Sequence, residues 1–130
     1  MTSLETARAA AKALCERKGE DIKVIKIRDI SSIADYFVIA TGSSTTHVKS
    51  LADNVEFRLD GEGISVSHIE GYRSDSWILL DYVDVVVHVF SEEAREYYSL
   101  ERLWQDGEQE DISDIEQMPL QELFPSAEKK

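Results

Sequence analysis

Leu4, Ala7, Ala11, Leu14 and Cys15 recur with helical period, and Thr2 followed three residues later by Glu5 has the spacing of a capping box, so the chain is expected to open with a helix that stops at Gly19. From Ile22 to Arg28 the pattern changes. Val24, Ile25 and Ile27 are interleaved with Lys23, Lys26 and Arg28, which predicts a strand near a sheet edge where lysines discourage further pairing. Tyr36 to Thr41 is a continuous apolar run, too short for a helix and bounded by Gly42; it predicts a strand covered on both faces. Val48, Leu51, Ala52, Val55 and Leu59 restore the helical period after Ser44, with Gly61 and Gly63 beyond them. Three short strands follow, Ser65 to Glu70, Ser76 to Tyr82 and Asp84 to Phe90, the last two joined so closely that they predict a tight hairpin near Val83. Ser91 with Glu92 and Glu93 caps a third helix that carries Tyr97, Leu100, Leu103 and Trp104 and is expected to end near Gly107.

This order predicts a mixed α/β (α+β) fold, a single five-stranded sheet with helices packed on it, over residues 1–107. Residues 108–130 are acid-rich, with scattered Ile112, Ile115, Met118, Leu120, Leu123 and Phe124 and two prolines, Pro119 and Pro125. They read as a loosely ordered tail with a short turn at Pro119.

Composition narrows the function classes. At 130 residues and 14.7 kDa there is room for one domain, and 42% apolar with 31% charged residues describes a soluble one, without an apolar run long enough for a membrane span. Charges interrupt the N-terminal alanines as they do not in a signal peptide, so a cytoplasmic location is expected. The net charge is −12, shared equally between the residues up to Trp104 and those after it. No basic run is present to displace counterions from phosphates, which disfavours naked nucleic acid. A basic protein would be steered toward such a surface, although acidity also serves solubility alone.

Candidate chemistry is sparse. Cys15 falls on the first helix's apolar stripe and reads as core filler. His47 and His68 have no zinc-ligand spacing, and His88 shares a strand face with Val86 and Phe90 as a structural histidine. Gly42-Ser43-Ser44 between a strand and a helix is a place where backbone N–H groups hold anions, but it lacks the P-loop lysine and reads first as a cap and turn.

Taken together, Ala34-Asp35-Tyr36-Phe37-Val38-Ile39-Ala40-Thr41-Gly42-Ser43-Ser44, Val48, Ala52-Asp53, Glu70-Gly71, Trp77 to Tyr82, Asp84 to Phe90, Arg95, Tyr97-Tyr98, Leu100-Glu101 and Leu103-Trp104 closely resemble the Iojap-like ribosomal silencing factors, over about residues 3–107. The sequence departs from that pattern at Thr46, where the family often carries arginine. The resemblance implies a nucleotidyltransferase-related fold without catalysis, metal or cofactor, a tendency to form homodimers, and binding to the large ribosomal subunit through ribosomal protein uL14 at the intersubunit face. Occlusion of the small subunit there would repress translation when nutrients are scarce.

Strand alternation sets Trp77, Leu79 and Asp81 opposite Ile78, Leu80 and Tyr82. With Ile78 and Leu80 inward, Trp77 is an aromatic anchor beside Asp75 and Asp81, suited to a basic partner. Fold alone makes Trp77 core; the resemblance shifts it to contact with the ribosomal protein. The expected contact set is Trp77, Asp75, Leu79, Asp81, Tyr82 and Tyr98, with Tyr72 a further candidate, though each tyrosine reads equally well as the rim of the core. Two other functions compete. A small nucleotidyltransferase would need paired carboxylates on the strand after the second helix, where only Glu70 is offered. A generic acidic interaction domain is the third reading.

Overall fold

The computed structural model describes residues 2–74 and 76–124. Helix α1 (Ser3–Glu16) opens with the reciprocal cap: the Glu5 N–H donates to Thr2 Oγ1 at 3.1 Å and the Thr2 N–H to Glu5 Oε1 at 2.9 Å. It closes with the Gly19 N–H on the Leu14 carbonyl and the Lys18 N–H on that of Cys15, and Lys18 takes the left-handed conformation. Gly19 fits the tight space instead, since a Cβ there would stand 3.0 Å from the Leu14 oxygen and crowd it.

Strands β1 (Glu20–Lys26) and β2 (Tyr36–Gly42) lead into helix α2 (Thr45–Gly61), then β3 (His68–Glu70), β4 (Trp77–Asp81) and β5 (Val85–Ser91). With β6 (Glu108–Gln109) they form one sheet of order β3-β4-β5-β2-β1-β6, in which only β2 and β5 run parallel. Every residue of β2 is buried, as a run covered on both faces requires. The hairpin is as tight as expected: the Tyr82 N–H donates to the Val85 carbonyl, the Asp84 N–H to that of Tyr82, and Val83 between them has φ 73°.

One sheet face, with Val24, Val38, Ala40, Ile78, Leu80, Val87 and Val89, packs under α1 and α2. The alanine-rich side of α1 permits close approach, and Glu16 on α1 clamps α2: both its oxygens accept from Arg58, at 2.8 and 2.6 Å, while Asn54 donates to it and to the Ala13 carbonyl. Burial alone would raise the Glu16 carboxyl, but the bonds from Arg58 and Asn54 outweigh it and hold it below the usual range. Cys15 packs against this core as filler, and burial, with Glu116 nearby, pushes its thiol up to about 11.

Residues 108–124 are packed against the domain where a loosely ordered tail was expected, and among the described residues the sheet has six strands rather than five. Glu108 and Gln109 pair with Lys26 and Ile25, so β1 lies next to the edge strand, near the edge as its lysines suggested. Gly107 makes this possible, because a Cβ there would stand 2.7 Å from Ile25 Cγ2 and 2.8 Å from the Lys26 oxygen. Helix α5 (Ser113–Glu116) follows, then a 3₁₀ turn at Leu120–Glu122 that starts after Pro119. Ile112, Ile115, Leu123 and Phe124 are buried in the α1–α2 core, Arg8 pairs with Asp114, and the Arg58 guanidinium lies 4.8 Å over the Phe124 ring. Residues 125–130 lie outside the described residues. Among the described residues no helix is long and apolar enough to cross a membrane.

Candidate functional site

The opposite face of the sheet is built from Ile25, Ile27, Phe37, Ile39, Val86 and Phe90, and what covers it is short. Helix α3 (Glu92–Tyr98) is capped by Ser91, whose Oγ accepts from the Ala94 N–H. It does not run on to Gly107 as the apolar spacing suggested. Ser99 takes the left-handed conformation, φ 49°, and the chain restarts as α4 (Leu100–Leu103) at a new angle. That break lets Trp104 meet Phe37 edge-on at 5.3 Å. The kink is fixed by buried Arg95, which donates to both Glu101 oxygens at 3.0 and 3.2 Å and to Thr41 Oγ1 at 2.9 Å, with Asp21 at 3.3 Å.

Between α3 and the β3 edge the face is incompletely covered. Trp77 and Leu79, both partly buried, emerge there on β4, opposite Phe90 and His88 on β5. The Trp77 ring lies 5.0 Å from Phe90 and 4.7 Å from Tyr98, and its indole N–H donates to His88 Nδ1 at 3.2 Å. Tyr98 is 44% exposed and Tyr97 81%, stacked edge to face at 5.0 Å. Glu92, Glu93 and Glu96 on α3 are exposed, giving the aromatic patch an acidic border.

The structure therefore brings Trp77, Leu79 and Tyr98 together on one face. Asp81 lies on the same strand face but is engaged at the hairpin, where its Oδ1 accepts from the Val83 N–H at 2.8 Å. Tyr82 does not join them. Alternation sends it with Ile78 and Leu80 into the α1–α2 core, its hydroxyl has no partner among the described residues, and burial raises the phenol above its usual range. Tyr72 is also on the α2 side, donating to Asp53 Oδ1 at 2.9 Å beside an open groove of about 630 Å³ lined by Arg17, Thr46, Lys49 and Phe57. Asp75 lies outside the described residues.

The expected contact set left out His88, read from the sequence as a structural histidine. It is 4% exposed, wedged against Phe37 at 4.6 Å and stacked on Phe90, and burial pushes its imidazole down to about 4. The signal available was the register of the hairpin, which sets Leu79 opposite His88 and Trp77 one pair further along. At the other candidate, Gly42-Ser43-Ser44, the cap-and-turn reading describes what the residues do. Ser44 Oγ accepts from the His47 N–H, the Ser43 N–H is spent on His47 Nδ1 at 2.8 Å, and His47 Nε2–H donates to the Arg17 carbonyl. Among the described residues no three His, Cys, Asp or Glu side chains cluster at metal-binding distance.

Comparison with known proteins gives one consistent result. The profile of the family described as "Ribosomal silencing factor during starvation" matches residues 1–130. A ribosomal silencing factor of Bacillus subtilis is 41% identical over 103 residues, covering 79% of this chain and 87% of that one. The mouse protein named "Mitochondrial assembly of ribosomal large subunit protein 1" is 33% identical over 70% of this chain and 41% of its own length. A crystal structure of a Chromobacterium violaceum protein superposes with a TM-score of 0.79 at 35% identity, over 87% of this chain and 93% of that one.

Proposed function

This chain belongs to the ribosomal silencing factor family, and from that premise we propose that it docks on the large ribosomal subunit and keeps the small subunit from joining. The contact is ribosomal protein uL14 at the intersubunit face, and the result is repression of translation in the cytoplasm, above all under nutrient limitation. Two names support the setting: the family's own description refers to starvation, and the mouse relative is named for the large subunit. The mechanism is steric. It needs neither a catalytic group, nor a metal, nor a cofactor, and a homodimer is compatible with it.

The observation that carries this reading is the uncovered aromatic face. Trp77 stands half-buried beside exposed Tyr97 and Tyr98, with Leu79 on the same side of β4, in a chain of net charge −12. Large aromatics beside a helix with exposed glutamates suit a basic protein surface: the rings supply the buried anchor and the charges speed and orient approach. Trp77→Ala tests it directly. We expect binding to purified large subunits to weaken by about tenfold or more. The thermal midpoint should fall modestly, since the indole is only partly buried. The unaltered chain should reduce reassociation of isolated subunits, read by light scattering, in proportion to its occupancy of large subunits. Unimpaired reassociation at saturating protein would overturn the proposal.

A further inference from the structure

We propose that His88 is the positioning residue for Trp77, its buried imidazole fixing the direction in which the indole is presented to a docking partner. The inference rests on the docking reading of the Trp77 face. An indole N–H can only donate, so at the 3.2 Å contact His88 Nδ1 is the acceptor and the ring proton sits on Nε2. That Nε2–H is then buried with no hydrogen-bond partner among the described residues. A buried donor left unpaired weakens a fold, and the neighbours on this strand face, Val86 and Phe90, show that an apolar side chain suits the position. Apolar packing alone gives no reason for the imidazole. What it supplies, and an apolar residue would not, is an acceptor aimed at the edge of Trp77.

The other contacts of Trp77 leave that role open. Its rings meet Phe90 at an interplanar angle of 33° and Tyr98 at 47°, tilted contacts that lack the direction of a hydrogen bond. The Trp77 backbone N–H reaches Ser74 Oγ only at 3.4 Å. His88 is itself immobilised by the Phe37 edge and the Phe90 stack, so a single directional bond transfers the rigidity of the sheet to a half-exposed side chain.

Two variants separate positioning from packing. His88→Phe keeps a ring and removes the acceptor; His88→Asn places an amide oxygen near the position of Nδ1. For His88→Phe we expect a thermal midpoint within a few degrees of the parent, because the unpaired Nε2–H is gone while the half-exposed Trp77 N–H loses its acceptor and turns to water, together with binding to large subunits about fivefold to tenfold weaker, the worth of one oriented hydrogen bond. His88→Asn should recover most of that loss. On the unaltered chain, nitrogen NMR at pH 7 should show Nδ1 bare and Nε2 protonated, a result independent of how the variants fold. The opposite tautomer, full-strength binding by His88→Phe, or Asn as weak as Phe would each overturn the assignment. If Trp77→Ala also binds normally, the docking reading itself has failed; if Trp77→Ala is weak and His88→Phe is not, only the positioning role has.

Discussion

The two faces of this sheet are finished to different standards. Under α1 and α2 the side chains are mostly alanine and branched aliphatics, the helices are clamped by the Glu16–Arg58–Asn54 bonds, and even the segment after Gly107 is drawn in to complete the core. Under α3 and α4 the layer mixes aliphatic with aromatic side chains, the covering helix is broken at Ser99, and the rim of β4 is left open. Each face buries one unpaired polar atom, the Tyr82 hydroxyl on the first and the His88 Nε2 on the second. The first arrangement serves stability. The second leaves large aromatic side chains at the surface that folding alone would bury, as expected if that face meets a partner.

A single strand gives the sharpest way to break this comparison, because Leu79 and Leu80 are the same residue pointing to opposite sides. Leu80→Ala removes a fully buried side chain and should cost about 3 kcal/mol or more of stability, with ribosome affinity unchanged at temperatures where the variant is folded. Leu79→Ala, on the open side, should cost about 1 kcal/mol and weaken large-subunit binding several-fold. Urea denaturation together with sedimentation of the bound protein checks both. Equal effects on stability and binding at the two positions would erase the distinction between the faces.

Acid should act on the aromatic face first. His88 is held down to about 4 from an ordinary 6.5 by burial, so between those values the unfolded chain binds a proton that the folded one does not. Stability is therefore complete above about pH 6.5 and falls as the pH drops toward 4, by about 3 kcal/mol in total. Glu5, Glu16, Asp35 and Asp111 are held below the usual carboxylate range, and their contribution is lost only as the pH falls below their ordinary values, near 4. The interval from pH 6.5 to 4.5 thus reports on His88, and His88→Phe should flatten it. Parallel curves for parent and variant would show that the imidazole is not the group responsible.

How much of this was legible beforehand depended on the range of the interaction. The capped α1, the buried run of β2, the period of α2 and the hairpin at Val83 are local patterns, and each is present as read. Alternation along β4 also placed Tyr82 with Ile78 and Leu80, so grouping it with Trp77 went against a pattern already visible. The sixth strand was not legible, because the need for Gly107 arises from Ile25 and Lys26, more than 80 residues earlier. Nor was the packing of Ile112, Ile115 and Leu123, whose acidic neighbours dominate the composition while the apolar residues fill the space beside α1. The break at Ser99 depends on Arg95 finding Glu101 and Thr41, a long-range contact that helical spacing does not encode. For the candidate site, alternation placed Trp77 on the open face and His88 as a structural residue, but the bond between them depends on the register of the hairpin and was not legible.

The smallest expected effect bears on where the open face ends. Val83 joins β4 to β5 at φ 73°, a region that a β-branched residue occupies only under strain, and its side chain is 64% exposed. Glycine would relieve strain of about 1–2 kcal/mol while adding roughly 0.5–1 kcal/mol of unfolded-chain entropy. Val83→Gly should thus stabilise the protein by about 1 kcal/mol, raising the thermal midpoint by a few degrees. If the open face stops at Leu79 and Tyr98, large-subunit affinity will be unchanged. A loss of affinity in the stabilised variant would place the strained, apolar hairpin tip inside the contact, adjoining Asp81, and would give the strain a function. A fall in stability would mean instead that the Val83 side chain supports the turn, and the tip would belong with the residues that hold the fold.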